Sequence, residues 1–386
     1  MDLDHILNHL GEDRSQYLGA VSPPIFQTSN FAFPDVASFR DAFTDERKNH
    51  IYTRGNNPTV EILRKKMAAL EKTEDALLFS SGIAAVSAAI LSQISSGAHV
   101  VCVLNPYSWT KHLLENWVAR FHVKTTFVKA DDTQGILDAC KQETRIIYLE
   151  SPNTMTFEVQ DLRKVASFAR SRNITTIIDN SHCSPVFQNP SEFGIDLIVH
   201  SVTKYISGHS DIVAGAVCGK KDLIDKIFDN EYMTLGAILS PNSAAMILKG
   251  LRTLPLRVQR SHDSSVIIAK WLSAHPKVKK VIHPWLVDFP QHELVKSQMR
   301  GAGGLFSFEL KTDSIEACEN FANRLERFLM AVSWGGHESL VIPICAFYNE
   351  DVNEKPHLPY QFFRLYIGLE DPEILIADLE HALEIV

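Results

Sequence analysis

The sequence predicts an α/β protein: a large domain built on a mostly parallel sheet, followed by a smaller C-terminal α+β domain. Three observations lead there. Between residues 76 and 218, short apolar runs alternate with helical stretches, and near-continuous apolar strands are what a sheet covered on both faces requires. After about Ser240 the texture changes to a long helical stretch and then a strand of alternating character. With 386 residues, 45% hydrophobic and 22% charged, the chain is long enough for two or three domains and ordinary in composition.

The elements follow in order. Residues 1–50 hold Pro23-Pro24 and Pro34 without clear periodicity and read as an extended arm. A helix follows Asn57-Pro58, with Thr59 as its N-cap and Ile62, Met67 and Leu70 on its apolar face. Within 51–240, strands are expected at Ala76–Phe79, Val100–Leu104, Thr125–Val128, Ile146–Leu149, Thr175–Asp179, Leu197–His200 and Ala214–Cys218. Helices are expected at Gly82–Gln93, Trp109–Arg120, Thr133–Cys140 and Leu162–Ser171. Within 241–386, Ala244–Leu272 reads as one long helix containing Pro255. Gly301–Leu310 sets Leu305, Ser307 and Glu309 against Phe306, Phe308 and Leu310, the period of a half-buried strand. Ser314–Leu329 is expected as helix, Arg364–Gly368 as strand and Ile374–Ile385 as the terminal helix.

Composition narrows the function. A net charge of −8, without a Lys/Arg-rich block, argues against a nucleic-acid partner. The six cysteines, at 102, 140, 183, 218, 318 and 345, contain no CxxC spacing. That excludes a zinc ribbon or a dithiol redox pair and fits a reducing cytoplasm. The start, Met1-Asp2-Leu3-Asp4, lacks the build of a signal peptide. The apolar stretch Ile83–Ile94 is broken by serines and falls short of the roughly 20 residues a bilayer needs.

Five segments can carry chemistry. His200-Ser201-Val202-Thr203-Lys204-Tyr205 leaves an apolar strand at the edge where parallel sheets bind ligands. A lysine there can form a Schiff base with a carbonyl, and the hydroxyls of Ser201 and Thr203 suit a phosphate. Alone, the segment is equally an ordinary loop lysine. Asp179 ends an apolar strand, where an acid needs a cation or hydrogen bonds; it reads as a loop cap or as a partner for a protonated pyridine nitrogen. Ser80-Ser81-Gly82-Ile83 turns a strand into a helix whose first N–H groups favour an anion, although one glycine also makes a plain βα turn. Arg54, in Tyr52-Thr53-Arg54, is a surface arginine or a phosphate ligand. Arg364 lies inside an apolar strand and needs a carboxylate, from an ion pair or a substrate. Rival signals are weak. Gly301-Ala302-Gly303-Gly304 does not complete a dinucleotide fingerprint. His5 and His9 lack a third metal ligand nearby.

Taken together and in order, these segments resemble the Cys/Met-metabolism family of pyridoxal 5'-phosphate enzymes, the cystathionine synthase and lyase group. The likeness includes Pro24 to Ser29, Tyr52-Thr53-Arg54, Asn57-Pro58-Thr59, Ser81-Gly82-Ile83, Glu150-Ser151-Pro152 and Asp179-Asn180. It continues with Ser201 to Lys204, Gly208-His209-Ser210, Ser333 to Leu340, and Arg364 to Glu370.

The resemblance implies the fold type I architecture of PLP-dependent transferases and a soluble homotetramer built from dimers with shared sites. It makes Lys204 the covalent anchor of the cofactor and, with Tyr107, a catalytic residue. Asp179 would face the pyridine nitrogen, and Tyr107 would stack on the ring. Gly82, Ile83, Ser201 and Thr203 would hold the phosphate, with Tyr52 and Arg54 reaching it from a neighbouring subunit. Arg364 would take the carboxylate of an amino-acid substrate, with Ser333, Trp334 and Asn153 nearby, and Asn153 would also contact the cofactor's ring hydroxyl.

Departures from the family pattern concern specificity. Ser108-Trp109 replaces two glycines, and methionine-cleaving relatives often carry cysteine where Trp109 stands. Asn153 stands one place early after Glu150-Ser151-Pro152. Thr156-Phe157-Glu158-Val159 and Trp334 resemble the bacterial β-lyase branch. Ile51 and Val332 stand where γ-specific relatives commonly carry acids. The expected reaction is β-elimination on cystathionine; γ-synthase, γ-lyase, methionine γ-lyase and a non-catalytic cofactor-binding regulator are the alternatives.

Overall fold

The computed structural model describes residues 1–348 and 356–386. Seven strands build the larger sheet: β1 (Asp75–Phe79), β2 (His99–Val103), β3 (Lys124–Val128), β4 (Thr144–Glu150), β5 (Thr175–Asp179), β6 (Leu197–Ser201) and β7 (Gly215–Gly219). Their order is β1-β7-β6-β5-β4-β2-β3. Only β7 runs against its neighbours. The carboxyl ends of β1, β2, β4, β5 and β6 therefore share one edge. Every residue of β2 and β7 is buried, the continuous burial expected of strands sandwiched between helices. The strand–helix alternation read from sequence is present, with boundaries displaced by one or a few residues.

The smaller sheet has five strands: β8 (Val278–Ile282), β9 (Leu305–Leu310), β10 (Leu329–Met330), β11 (Leu340–Pro343) and β12 (Phe362–Tyr366). Their order is β10-β11-β12-β9-β8, and only β10 and β11 pair in parallel. Phe306, Phe308, Phe321 and Phe363 pack in one apolar core under this sheet. Ala244, Ile247, Leu251, Leu254 and Val258 instead join the core of the larger sheet, so residues on both sides of position 240 share that core.

Six local readings change. The helix expected over Ser314–Leu329 ends at Arg324, and Leu329 instead opens β10; the helix expected over Trp109–Arg120 widens at Leu113–Trp117 and tightens at Val118–Phe121. The first fifty residues are not wholly extended: helices form at Leu3–Asn8 and Val36–Ala42, each capped by an aspartate, Asp2 and Asp35. The helix Pro58–Leu70 is capped by Asn57, whose side chain accepts from Thr59 N–H at 3.0 Å. Thr59 instead uses its hydroxyl on the preceding segment, accepting from Phe26 N–H. The long helix expected over Ala244–Leu272 is two, Pro241–Arg252 and Leu254–Ala274. Pro255 lies in the first turn of the second, where its missing N–H costs nothing. Finally, β9 is buried on both faces, with only Glu309 partly exposed. Ser307 donates to the Met155 carbonyl at 2.8 Å, so the larger domain covers the face expected to meet solvent.

The N-terminal segment is tied down by charge. Glu12 is buried and accepts from Lys66 Nζ and Arg252, each at 3.0 Å. Lys66 also donates to the carbonyls of Ile6 and Leu7.

Candidate active site

The site lies along the shared carboxyl edge. Ser201 ends β6, and the chain then turns tightly: Lys204 N–H donates to the Ser201 carbonyl and Gly208 N–H to the Lys204 carbonyl. That turn swings the Lys204 side chain across the edge, where Nζ donates to Ser333 Oγ at 2.6 Å. The Trp334 ring centroid is 5.6 Å from the same nitrogen. Ser333 holds a φ of +82°, a costly conformation for a residue with a Cβ. Gly335 follows at φ +89°, and a Cβ there would fall 2.7 Å from Tyr205 N and 2.9 Å from Lys204 Cα. Its lack of a side chain lets the 333–336 loop press on the lysine turn.

Burial, with the Arg364 charge adding to it, lowers the Lys204 amine from 10.5 to about 8; Asp179 pulls the other way. An amine accepts a proton only when neutral, so its capacity as a base rises as pH passes through about 8. In cofactor-free protein, reductive methylation of Lys204, followed by peptide mapping across pH, should show a midpoint near 8. A midpoint above 10 would remove the desolvation argument.

Asp179 ends β5 and accepts from Ser181 N–H at 2.9 Å. Ser181 Oγ in turn accepts from Ser201 N–H at 2.6 Å, tying the two strand ends together. Behind them, Asn180 and His200 converge on buried Glu71, at 2.8 and 2.5 Å. Next to β6, the helix Gly82–Leu91 begins with Ser81 as its cap. A Cβ on Gly82 would lie 3.0 Å from the Ser201 Cβ and Oγ. Gly82 thus lets the first amides of this helix and the Ser201 side chain face the same space, the arrangement that suits a phosphate. Thr203 is more committed: its hydroxyl accepts from Ala214 N–H at 3.0 Å and donates to the Ala214 carbonyl.

Tyr107 stands in the turn after β2, still 44% exposed. Its N–H donates to Glu150 Oε2 at 2.8 Å. Asn153 is buried and donates to the Asn105 carbonyl at 3.3 Å, so it braces the same turn. Arg364, in the middle of β12, donates to the Ser333 carbonyl at 3.3 Å. Burial lowers its guanidinium to about 10, against the pull of Glu150. No carboxylate lies within ion-pair distance of it among the described residues. An internal ion pair therefore does not account for this buried arginine.

The structure thus gathers Lys204, Asp179, Gly82, Ile83, Ser201, Thr203, Tyr107 and Asn153 along one sheet edge, with Ser333 and Trp334 on the loop facing it and Arg364 on β12 behind that loop. Tyr52 and Arg54 do not join them. The Arg54 guanidinium stands 5.6 Å from the Tyr52 ring. Among the described residues, no hydrogen bond links either side chain to the group around Lys204. Two buried groups escaped the residue-by-residue reading. Glu150 ends β4, and the rule that singled out Asp179, an acid closing an apolar strand, applies to it equally. His182 donates from Nε2 to the Ala302 carbonyl at 2.9 Å beside Phe157 and Trp334, and burial lowers it to about 4.

A desolvated lysine, an acid at the next strand end, a helix N-terminus and an unpaired buried arginine fit pyridoxal 5'-phosphate and an amino-acid carboxylate. Fold and site together define a fold type I pyridoxal-phosphate enzyme. The chain belongs to the family described as "Cys/Met metabolism PLP-dependent enzyme", whose profile matches residues 4–384. It is 37% identical over 381 residues to the L-methionine gamma-lyase of Pseudomonas putida, covering 97% of this chain and 96% of the relative. It is 34% identical to a putative cystathionine beta-lyase of Rhizobium johnstonii, covering 97% and 94%. A solved structure titled "Crystal structure of metB from Corynebacterium glutamicum" superposes with a TM-score of 0.91 at 30% identity, covering 100% of this chain and 98% of that one. The expected fold class, cofactor and enzyme class are all borne out. Among the described residues, no helix is long and apolar enough to cross a membrane.

Proposed function

We propose that the protein is a carbon–sulfur lyase that acts on cystathionine by β-elimination, releasing homocysteine, pyruvate and ammonia. The observation that carries this reading is the placement of the Lys204 amine between Ser333 Oγ and the Trp334 ring, with Arg364 buried beside Ser333 and unpaired.

Bound pyridoxal 5'-phosphate supplies an electron sink for charge that develops at the substrate Cα. The chain supplies the rest. Arg364 offers two parallel donors to the substrate α-carboxylate. Lys204 would hold the cofactor covalently, and its amine, once free and neutral, would take the Cα proton. Ser333 Oγ accepts from Nζ and keeps the resulting ammonium in place. Asp179 would keep a proton on the pyridine nitrogen. As the Cβ–S bond breaks, the Lys204 ammonium would return its proton to the departing sulfur. The three-carbon remainder takes up water to give pyruvate and ammonia.

The β-preference rests on the distal end of the substrate. Neither Ile51 nor Val332 can offer it a carboxylate, and Val332 is well exposed. A carboxylate paired with the distal ammonium contributes on the order of 1–3 kcal/mol, and γ-type handling lacks that contribution here. Trp334 fills part of the space beside Lys204 and narrows the approach of the substrate chain. A second reading, γ-elimination from methionine, is favoured by the identity to methionine gamma-lyases. One chromatographic assay separates them. Pyruvate and homocysteine from cystathionine support the β-reading. Dominant 2-oxobutyrate and cysteine overturn it, and slow cystathionine turnover with fast methanethiol release from methionine selects the second.

Tyr52 and Arg54 are free of the Lys204 group in their own chain, which supports a role in the site of a second copy. Arg54→Ala and Lys204→Ala variants should each be inactive, and refolding them as a mixture should restore activity through hybrid sites. No recovery in verified hybrids would refute the shared site.

A further inference from the structure

We infer that Glu150 is a positioning residue of this site: its carboxylate fastens the turn carrying Tyr107 to the turn carrying Asn153, and so sets where Tyr107 stands over the bound ring. The inference rests on the cofactor reading above and adds a residue to it.

Glu150 is the last residue of β4, directly beside Asp179 in the β4–β5 register. Its side chain is 6% exposed. Two acids side by side at a buried edge repel, and an unsolvated carboxylate is costly unless its oxygens find donors. Burial and the Asp179 charge both push the Glu150 carboxyl upward, opposed by backbone N–H bonds and by Arg364.

The compensating bonds are specific. Oε2 accepts from Tyr107 N–H at 2.8 Å, and Oε1 accepts from Thr154 N–H at 2.6 Å. One donor comes from the turn after β2 and the other from the turn after β4. A single carboxylate therefore spans two strand ends, beside the Asp179 terminus of a third. Tyr107 has little else to fix it. It stands at the head of a five-residue helix without a side-chain cap bond, and the residue is 44% exposed. Where packing holds a ring only in part, the backbone anchor decides its placement. Arg364 is the cation whose charge opposes that of Asp179 at Glu150, so the same carboxylate also offsets a buried guanidinium that has no ion-pair partner of its own.

The test starts from the wild-type holoenzyme, with pyridoxal 5'-phosphate bound and its visible dichroism recorded. Glu150→Gln keeps the size of the side chain but turns one acceptor into a donor, so one of the two backbone N–H groups loses its partner. The expected result is a fall of about 100-fold in kcat/KM, the scale of a displacement of about 1 Å at a reacting group. The visible dichroic band of the cofactor should change, with far-ultraviolet dichroism and cofactor stoichiometry preserved. Combined with Tyr107→Ala, Glu150→Gln should cost less than about twofold beyond Tyr107→Ala alone, because residues acting through one another are not additive.

If Glu150→Gln fails to fold, Glu150→Asp, which keeps the carboxyl group but shortens its reach, enters the same cycle with the same expectation. Activity within threefold of wild type with an unchanged visible band overturns the inference. So do losses that multiply in the double variant. A wild-type protein that takes up no pyridoxal 5'-phosphate overturns the cofactor reading itself, whereas an active wild type with an indifferent Glu150 sinks this inference alone.

Discussion

Lys204→Ala is expected to lose roughly 10⁴-fold in turnover, the upper range for removal of a general base, and to keep its cofactor through non-covalent contacts. On the proposed reading the amine is both the covalent anchor and the proton acceptor, and among the described residues no other lysine donates to Ser333. The phosphate contacts proposed at Gly82, Ile83 and Ser201 do not involve Lys204, so uptake of pyridoxal 5'-phosphate should survive while the band lost on borohydride treatment disappears. Substantial elimination activity in this variant would remove Lys204 from both roles.

The same position should show a trade of stability for function. Burial lowers the amine to about 8 in the folded protein, so the unfolded chain binds more protons between pH 8 and 10.5. The destabilising contribution is therefore fully present below about pH 8 and fades as pH rises toward 10.5. Cofactor-free Lys204→Met should be more stable than wild type at pH 7 by on the order of 1–3 kcal/mol, measured by denaturant unfolding. The gain should shrink at pH 10.

Arg364→Met should lower kcat/KM by about 10³-fold, chiefly through KM, because two charge-assisted hydrogen bonds to the substrate carboxylate contribute roughly 1.5–3 kcal/mol each. Stability should hold or rise. A buried guanidinium without an ion-pair partner is held against its desolvation cost, and an apolar side chain of similar volume removes that cost. Arg364→Lys should recover little, since an ammonium cannot present the planar fork. A loss below tenfold in kcat/KM, or a fall of more than about 10 °C in unfolding temperature, would make Arg364 a structural residue.

What could be read from sequence depended on whether the signal was local. Asp179, Ser201 and Lys204 were legible because apolar runs end at them, and in a parallel sheet such ends share an edge. Arg364 was legible because an arginine inside an apolar strand needs an anion. Glu150 obeys the same rule as Asp179, yet its function depends on backbone amides of Tyr107 and Thr154 that no side-chain pattern reveals. The Lys204–Ser333 bond joins residues far apart in the chain and requires a positive φ at Ser333, which serine does not announce. The alternation of β9 reports two faces but not what covers them, so the burial of Ser307 against Met155 could not be foreseen. The stretch Trp109–Arg120 carries a helical pattern throughout, but the chain passes from α-helix into a wider turn at Leu113–Trp117 and a tighter one at Val118–Phe121.

The covalent anchor proposed at Lys204 underlies every role assigned around it. Its most direct test is borohydride reduction of the wild-type protein in the presence of pyridoxal 5'-phosphate, followed by peptide mapping of the reduced adduct. A single phosphopyridoxyl group on Lys204 is the expected result; a group on any other lysine, or none at all, would contradict it.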